Sequence, residues 1–469
     1  MPYAIYPPIG FARIGNSTEF FIGPENMEPF GVELGPTGEN PVIEFKDQDY
    51  RMKRQGARFR IFELHENGIP TLASFPAGTT VRWTVRLANK KDAVHRPSYP
   101  PTQPEPVRDD PARQNRIIEA TGDIAGMSQP AVVLKGAYLN EPVILGEILT
   151  DKNQHLIVLG GSGRSGTLTT PPAPMGDSFY NNPDWFDDVA DGSVSATVEI
   201  PGQEPVTAHA AWIITAPPDF APLAQGVVTL FDVIKQVAIN KGWIAPKPRP
   251  SFETDIKPMI QRAAQLRWVE RGAVWPLISQ DWANLSNSSA AHAPLRTETA
   301  ILVREVEVAL SGFELQEWQL DALDAWVAGN FDIAESANRG LCDALTRAAL
   351  DTTVGQGFFP GIEAGINMTD PNLYDSAPFE FRFNPAALRP GDVTAHMAQP
   401  WQADFLKCAD GWWPAQRPNL LLTKDGSKVR WLRPKMTHLE LVGNVMKLGV
   451  ATPDENGNMF EQGRDPALT

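Results

Sequence analysis

Prolines punctuate this chain from end to end. There are 43 in 469 residues, nearly twice the usual share of about 5%. Proline has no backbone N–H and a fixed φ, so it ends helices and is excluded from central strand positions. A chain so interrupted is expected to fold as short strands joined by long ordered loops, with helices only where prolines thin out. The strongest strand signal is Thr80–Leu87, TVRWTVRL. Val81, Trp83, Val85 and Leu87 face one way, while Thr80, Arg82, Thr84 and Arg86 face the other, which is the pattern of a half-buried strand.

Similar runs at Arg58–Leu64, His155–Leu159, Val194–Ile200 and Ala211–Thr215 predict a β-rich portion over residues 1–221. Residues 222–350 change to a helical period. One helix is expected after Pro258 and a second over Thr297–Leu310. A third opens at Ser311 and Glu314, which have capping-box spacing, and carries Leu315, Trp318, Ala322 and Trp326. Gly329 is a suitable stop, and a fourth helix is expected over Asn338–Leu350. Residues 351–469 read as loop-rich. The expected class is α+β, with the pocket between the last two portions.

Charge narrows the function. The formal net charge of −15 argues against a nucleic-acid surface, which needs a basic stripe, and against an anionic-lipid patch. No apolar run approaches the length needed to span a bilayer. The start shows no signal-peptide pattern, so the expected location is cytoplasmic. The two cysteines, Cys342 and Cys408, are too few for a disulfide framework or a four-thiolate zinc site. Among the histidines none is paired at helical ligand spacing and no HExxH occurs, so no metal site is expected from them. His396 is singled out because it precedes PWQADF. Gly161–Gly166, GSGRSG, matches a dinucleotide fingerprint, but the following TLTTPPAP cannot begin the helix that such a site requires. A turn is expected there instead.

Two stretches concentrate glycine, proline and aromatics where regular structure has no need of them: DTTVGQGFFPGIEAG at 351–365 and QPWQADFLKCADGWWPAQRP at 399–418. They read either as aromatic packing at a corner, with glycines allowing close backbone approach, or as a pocket lined by rings. In these stretches the chain resembles the quinoprotein family of L-lysine 6-oxidase and glycine oxidase, whose members carry cysteine tryptophylquinone. The resemblance extends through PIGFARIGNSTEFFIGPE, LGEILTDKNQHLIVLGGSG, DWFDDVADGSVSATVEI, AWIITAPPDFAP and SFETDIKPMIQRA. It implies an oxidase of a primary amine or amino acid, with oxygen as acceptor and ammonia and hydrogen peroxide as products. It also implies a flavoprotein that assists maturation.

In the family pattern the cross-linking cysteine directly precedes the glycine-rich block, and here that position is Thr353, which has no sulfur. The resemblance places the modified tryptophan at Trp412 or Trp413, with Trp401 a further candidate. Asp351, Thr353 and His396 are expected as neighbours, Phe358 and Phe359 as walls, and Cys408 or Cys342 as alternative sulfur sources. A possible homo-oligomer is left open. Two other readings stand beside the oxidase: a cofactor-free binding or assembly protein, and a metal-assisted oxidation using His396 or His438.

Overall fold

A computed structural model describes residues 2–26, 30–36, 38–66, 68–95, 108–175, 182–270, 272–306, 314–334, 340–355, 364–407, 418–423, 425–431, 437–454 and 457–468. Nine strands carry the first half: β1 Ile9–Arg13, β2 Arg54–Glu63, β3 Thr80–Asn89, β4 Ile118–Ala125, β5 Val132–Tyr138, β6 Glu141–Thr150, β7 Leu156–Gly160, β8 Ala190–Glu199 and β9 Ala211–Ala216. They form one sheet in the order β4-β3-β8-β9-β1-β2-β7-β6-β5, with shorter strands added at its sides. Most neighbours are antiparallel, but β9 runs parallel to β1, with Trp212 opposite Ile9. The end strands β4 and β5 also pack against each other. The sheet therefore curls around a core that includes Trp83, Leu134, Tyr138 and Phe186.

The alternation read in the sequence sets this arrangement. Val81, Trp83, Val85 and Leu87 of β3 are buried, and Arg82 and Arg86 are exposed. The Trp83 indole N–H still needs a partner inside the core, and it donates to Gln154 O at 2.9 Å. In the GSGRSG segment, residues 161–164 form a connection without regular structure. Gly163 N and Arg164 N donate to Asp188 Oδ2 at 2.7 and 2.9 Å. The chain then continues as a strand, Ser165–Thr167, not as a helix.

The helices follow: α1 Leu230–Asn240, α2 Lys257–Gln265, α3 Ala293–Arg304, α4 Glu317–Val327 and α5 Leu341–Asp351. The expected cap at Ser311 and Glu314 is corrected here. The box is made by Gln316 and Gln319, whose amides bond reciprocally to the helix start. Trp318, Ala322 and Trp326 are buried as the stripe required, whereas Leu315 precedes the helix. The cap moves because Gln319 is also needed inside, where its Nε2 reaches Val227 O and Asp232 Oδ2, both at 3.2 Å. The largest core among the described residues joins α1, α2, α3 and α4 to later segments through Trp275, Trp326, Trp401 and Trp431. Among the described residues no helix is long and apolar enough to cross a membrane.

Candidate active site

Asp351 is the last residue of α5. A carboxylate there opposes the helix dipole, which favours cations at its C-terminus. Three donors offset this. Arg347, one turn back, donates from Nε to Asp351 Oδ2 at 2.9 Å. Arg262 of α2 places Nη2 2.8 Å from Oδ1. Thr229 Oγ1 donates to the same oxygen at 2.8 Å. Thr229 is also the N-cap of α1, so one residue starts a helix and holds the end of another.

Behind Arg262 lies a second carboxylate. Asp232 Oδ2 accepts from Arg262 Nη1 at 3.2 Å and from Thr229 N at 2.8 Å. Burial pushes both acids toward the neutral form. For Asp351 the charges of Arg262 and Arg347 outweigh burial and hold the carboxyl below the usual range. For Asp232 burial prevails over Arg262, and the negative Asp351 beside it adds to the rise. Two neighbouring acids are thus pushed in opposite directions, Asp351 toward the ionised form and Asp232 toward the neutral one.

Asp351 and Arg262 wall an open cavity of about 410 Å³, together with Glu253, Lys257, Gln261 and Thr352. This cavity is set between α2 and the end of α5, and of the described candidate residues only Asp351 lines it. Thr353 is buried, and its hydroxyl donates to Leu350 O at 2.6 Å. Beyond it Val354 bridges to Thr229, and Gly355 N donates to Val228 O at 3.3 Å. Gly355 passes so close that a Cβ there would stand 1.8 Å from Thr229 O. This close approach is of the kind the glycine-rich stretch suggested, here against backbone.

The remaining candidates are placed differently. His396 is buried at the end of a short turn, Thr394–His396. Thr394 anchors that turn by donating from N and Oγ1 to Asp191 Oδ1 of β8 at 2.7 and 2.6 Å. The sheet therefore positions His396, whereas helices position Asp351, and His396 is not among the described residues lining the cavity. Trp401 is buried, its backbone N donates to Asp187 Oδ2 at 2.9 Å, and its ring meets Phe405 edge-on at 5.2 Å. Its indole Nε1 has no partner among the described residues. Cys342 lies in a separate small core with Ala4, Tyr6, Phe62 and Leu345. Trp412, Trp413, Phe358, Phe359, Cys408 and the side chain of His438 fall outside the described residues. Among the described residues no group of three or more metal-ligating side chains is assembled.

Sequence reading missed Thr229, Asp232, Arg262 and Arg347. Arg262 falls in the SFETDIKPMIQRA block and was within reach. Arg347 sits one turn before Asp351 and Thr229 and Asp232 have capping spacing, but their convergence on Arg262 and Asp351 depends on contacts distant in sequence.

The L-lysine epsilon oxidase N-terminal family model matches residues 6–215, and the L-lysine epsilon oxidase C-terminal domain model matches residues 303–428. L-lysine 6-oxidase of Marinomonas mediterranea is 27% identical over 577 aligned positions, covering 97% of this chain and 77% of that one. The crystal structure of the L-Lys epsilon-oxidase from that organism as its Schiff base intermediate with L-Lys superposes with a TM-score of 0.80 at 20% identity, and a second structure of the enzyme with a TM-score of 0.81 at 20% identity. Each covers 99% of this chain and 95% of that chain; these two likenesses bear on the fold. The protein is an oxidoreductase acting on amino acids. The chain belongs to the L-lysine epsilon oxidase family.

Proposed function

We propose that this protein oxidises an amino acid or related primary amine with dioxygen, by means of a quinone formed on its own Trp412 or Trp413, and releases ammonia and hydrogen peroxide. The observation that carries the reading is Asp351: an ionised, buried carboxylate on the wall of an open cavity, in a chain of this family. Phe358 and Phe359 are proposed as walls that exclude water, and a flavoprotein as the partner that oxygenates the tryptophan.

The usual thioether does not fit the described residues. Thr353 offers oxygen where sulfur is expected and already spends its hydroxyl on Leu350 O. Cys342 is enclosed in a different core. No step is therefore assigned to a cysteine-linked group. A tryptophan-derived quinone supplies an electrophilic carbonyl and a two-electron sink. The chain's own residues supply the rest. Arg262 and Arg347 keep Asp351 deprotonated and orient it as a proton acceptor, while lowering its basicity. Thr229 fixes the carboxylate's rotamer.

Intact mass of protein matured with its flavoprotein tests this. The expected gain is two oxygens less two hydrogens, localised by peptide mapping to Trp412 or Trp413, with amine-dependent peroxide formation. Asp351→Asn should lower kcat by about 10²–10³-fold. Matured protein of unaltered mass that forms no peroxide removes the reading.

A further inference from the structure

The GSGRSG segment runs into the strand Ser165–Thr167, which pairs with the strand Trp185–Asp187 and sets Ser165 opposite Asp187. Residues paired across two strands turn their side chains to one face. Here both side chains reach the start of one short helix, Gln402–Lys407. Asp187 Oδ2 accepts from Trp401 N at 2.9 Å, and Ser165 Oγ donates to Gln402 Oε1 at 2.9 Å. One strand pair therefore grips two consecutive residues, the first by its backbone and the second by its side chain. Trp401 and Gln402 are both buried.

Both acids of the Asp187–Asp188 dipeptide serve this grip. Asp188 takes the N–H groups of Gly163 and Arg164, which fixes the chain just ahead of Ser165. Asp187 is wholly buried, and four donors orient it. Lys91 Nζ and Trp401 N meet Oδ2, while Asn89 Nδ2 at 2.9 Å and Val189 N at 3.2 Å meet Oδ1. Lys91 Nζ also donates to Ala398 O at 2.8 Å, and Asp92 Oδ1 accepts from Gln399 Nε2 at 2.9 Å. The end of β3 and the turn after it thus hold the approach to the helix, and Ser165 holds its first residue. A buried ion pair adds little net stability, but a pair bonded in this way fixes position. Trp412 follows Lys407 by five residues in the sequence, so the seat of this helix bears on the tandem tryptophans.

We propose that Asp187 and Ser165 are positioning residues: by fixing Trp401 and Gln402 they set the helix Gln402–Lys407, from which the chain runs on to Trp412 and Trp413. This rests on the oxidase reading above. Asp187 acts through the Trp401 backbone and Ser165 through the Gln402 amide, and neither is assigned a contact with substrate.

Asp187→Asn and Ser165→Ala test this, with Ser165→Thr as the variant that keeps the hydroxyl. An asparagine sets an amide nitrogen where one oxygen met two donors. Hydrogen exchange of the amides at 401–407 should quicken about tenfold in the first two variants and stay near the parental rate in Ser165→Thr. In matured Asp187→Asn and Ser165→Ala the mass gain should be kept and the visible band of the quinone should shift. Their kcat should fall about tenfold with KM little changed. A loss of stability alone would move neither the band nor the balance of kcat against KM. If Asp187→Asn does not fold, Ser165→Ala decides. Exchange at the parental rate, or quickened exchange with a parental band and kcat, overturns the proposal. Quickened exchange in the variants of a protein whose parent never gains mass upholds the seat of the helix and overturns the oxidase reading instead.

Discussion

Asp351 and Asp188 show how one residue type takes opposite states. Asp351 is held ionised by two arginines, so the acid limb of kcat/KM should lie below the ordinary aspartate value of about 3.9. Arg347→Gln removes one of those charges. The carboxyl then takes up its proton at higher pH, and the limb should move up by about 1 pH unit, read from a pH–rate profile. An unmoved limb would show that another group controls it. Among the described residues no ion pair is formed by Asp188. Burial raises its carboxyl to about 7, against the opposing pull of the Arg164 and Gly163 N–H groups. The folded chain keeps a proton that the unfolded chain gives up near pH ~4, so stability falls as pH rises from about 4 to about 7 and then levels. Asp188→Asn keeps an acceptor for both N–H groups and cannot ionise. Its stability relative to the parent should grow by about 2 kcal/mol between about pH 5 and pH 8, measured by denaturant melts.

Elements that bury a periodic stripe were legible, and long-range partners were not. The alternation in β3 and the spacing of Trp318, Ala322 and Trp326 in α4 fixed both elements, because each periodicity has only one face to bury. The cap of α4 was misplaced because Ser-x-x-Glu at 311–314 lies just ahead of Gln-x-x-Gln at 316–319, and only the contact of Gln319 with Val227 and Asp232 decides between them. Of the cavity wall, Asp351 was named from the sequence. Arg262 lies in a block that carries the resemblance, but nothing local says that α2 faces the end of α5. The junction itself is testable at Gly355. A Cβ 1.8 Å from Thr229 O has no rotamer to escape through. Gly355→Ala should push the chain off the start of α1 and cost about 3 kcal/mol, with loss of activity through the displaced Thr229–Asp351 bond. A parent-like melting curve would show that the backbone can yield there.

At the scale of the whole molecule, the sheet and the helices meet at the residue after Asp351. Arg13, at the end of β1, is buried, and it donates to Pro217 O at 3.2 Å and to Thr352 O at 2.9 Å. Asp219 stands 4.0 Å away as its counter-charge. The central strand thereby fixes the height at which α5 ends, and so the depth of Asp351 in the cavity. Arg13→Lys tests the fastener. Lysine keeps the charge but lacks the planar fork that spans two carbonyls. The loss of one bond should lower stability by about 1–2 kcal/mol. If the sheet sets the position of Asp351, kcat should fall about tenfold with KM nearly unchanged, because a displaced base weakens the reacting state more than binding. A variant that melts earlier yet turns over at the parental rate would assign the placement of Asp351 to Arg262, Arg347 and Thr229 alone.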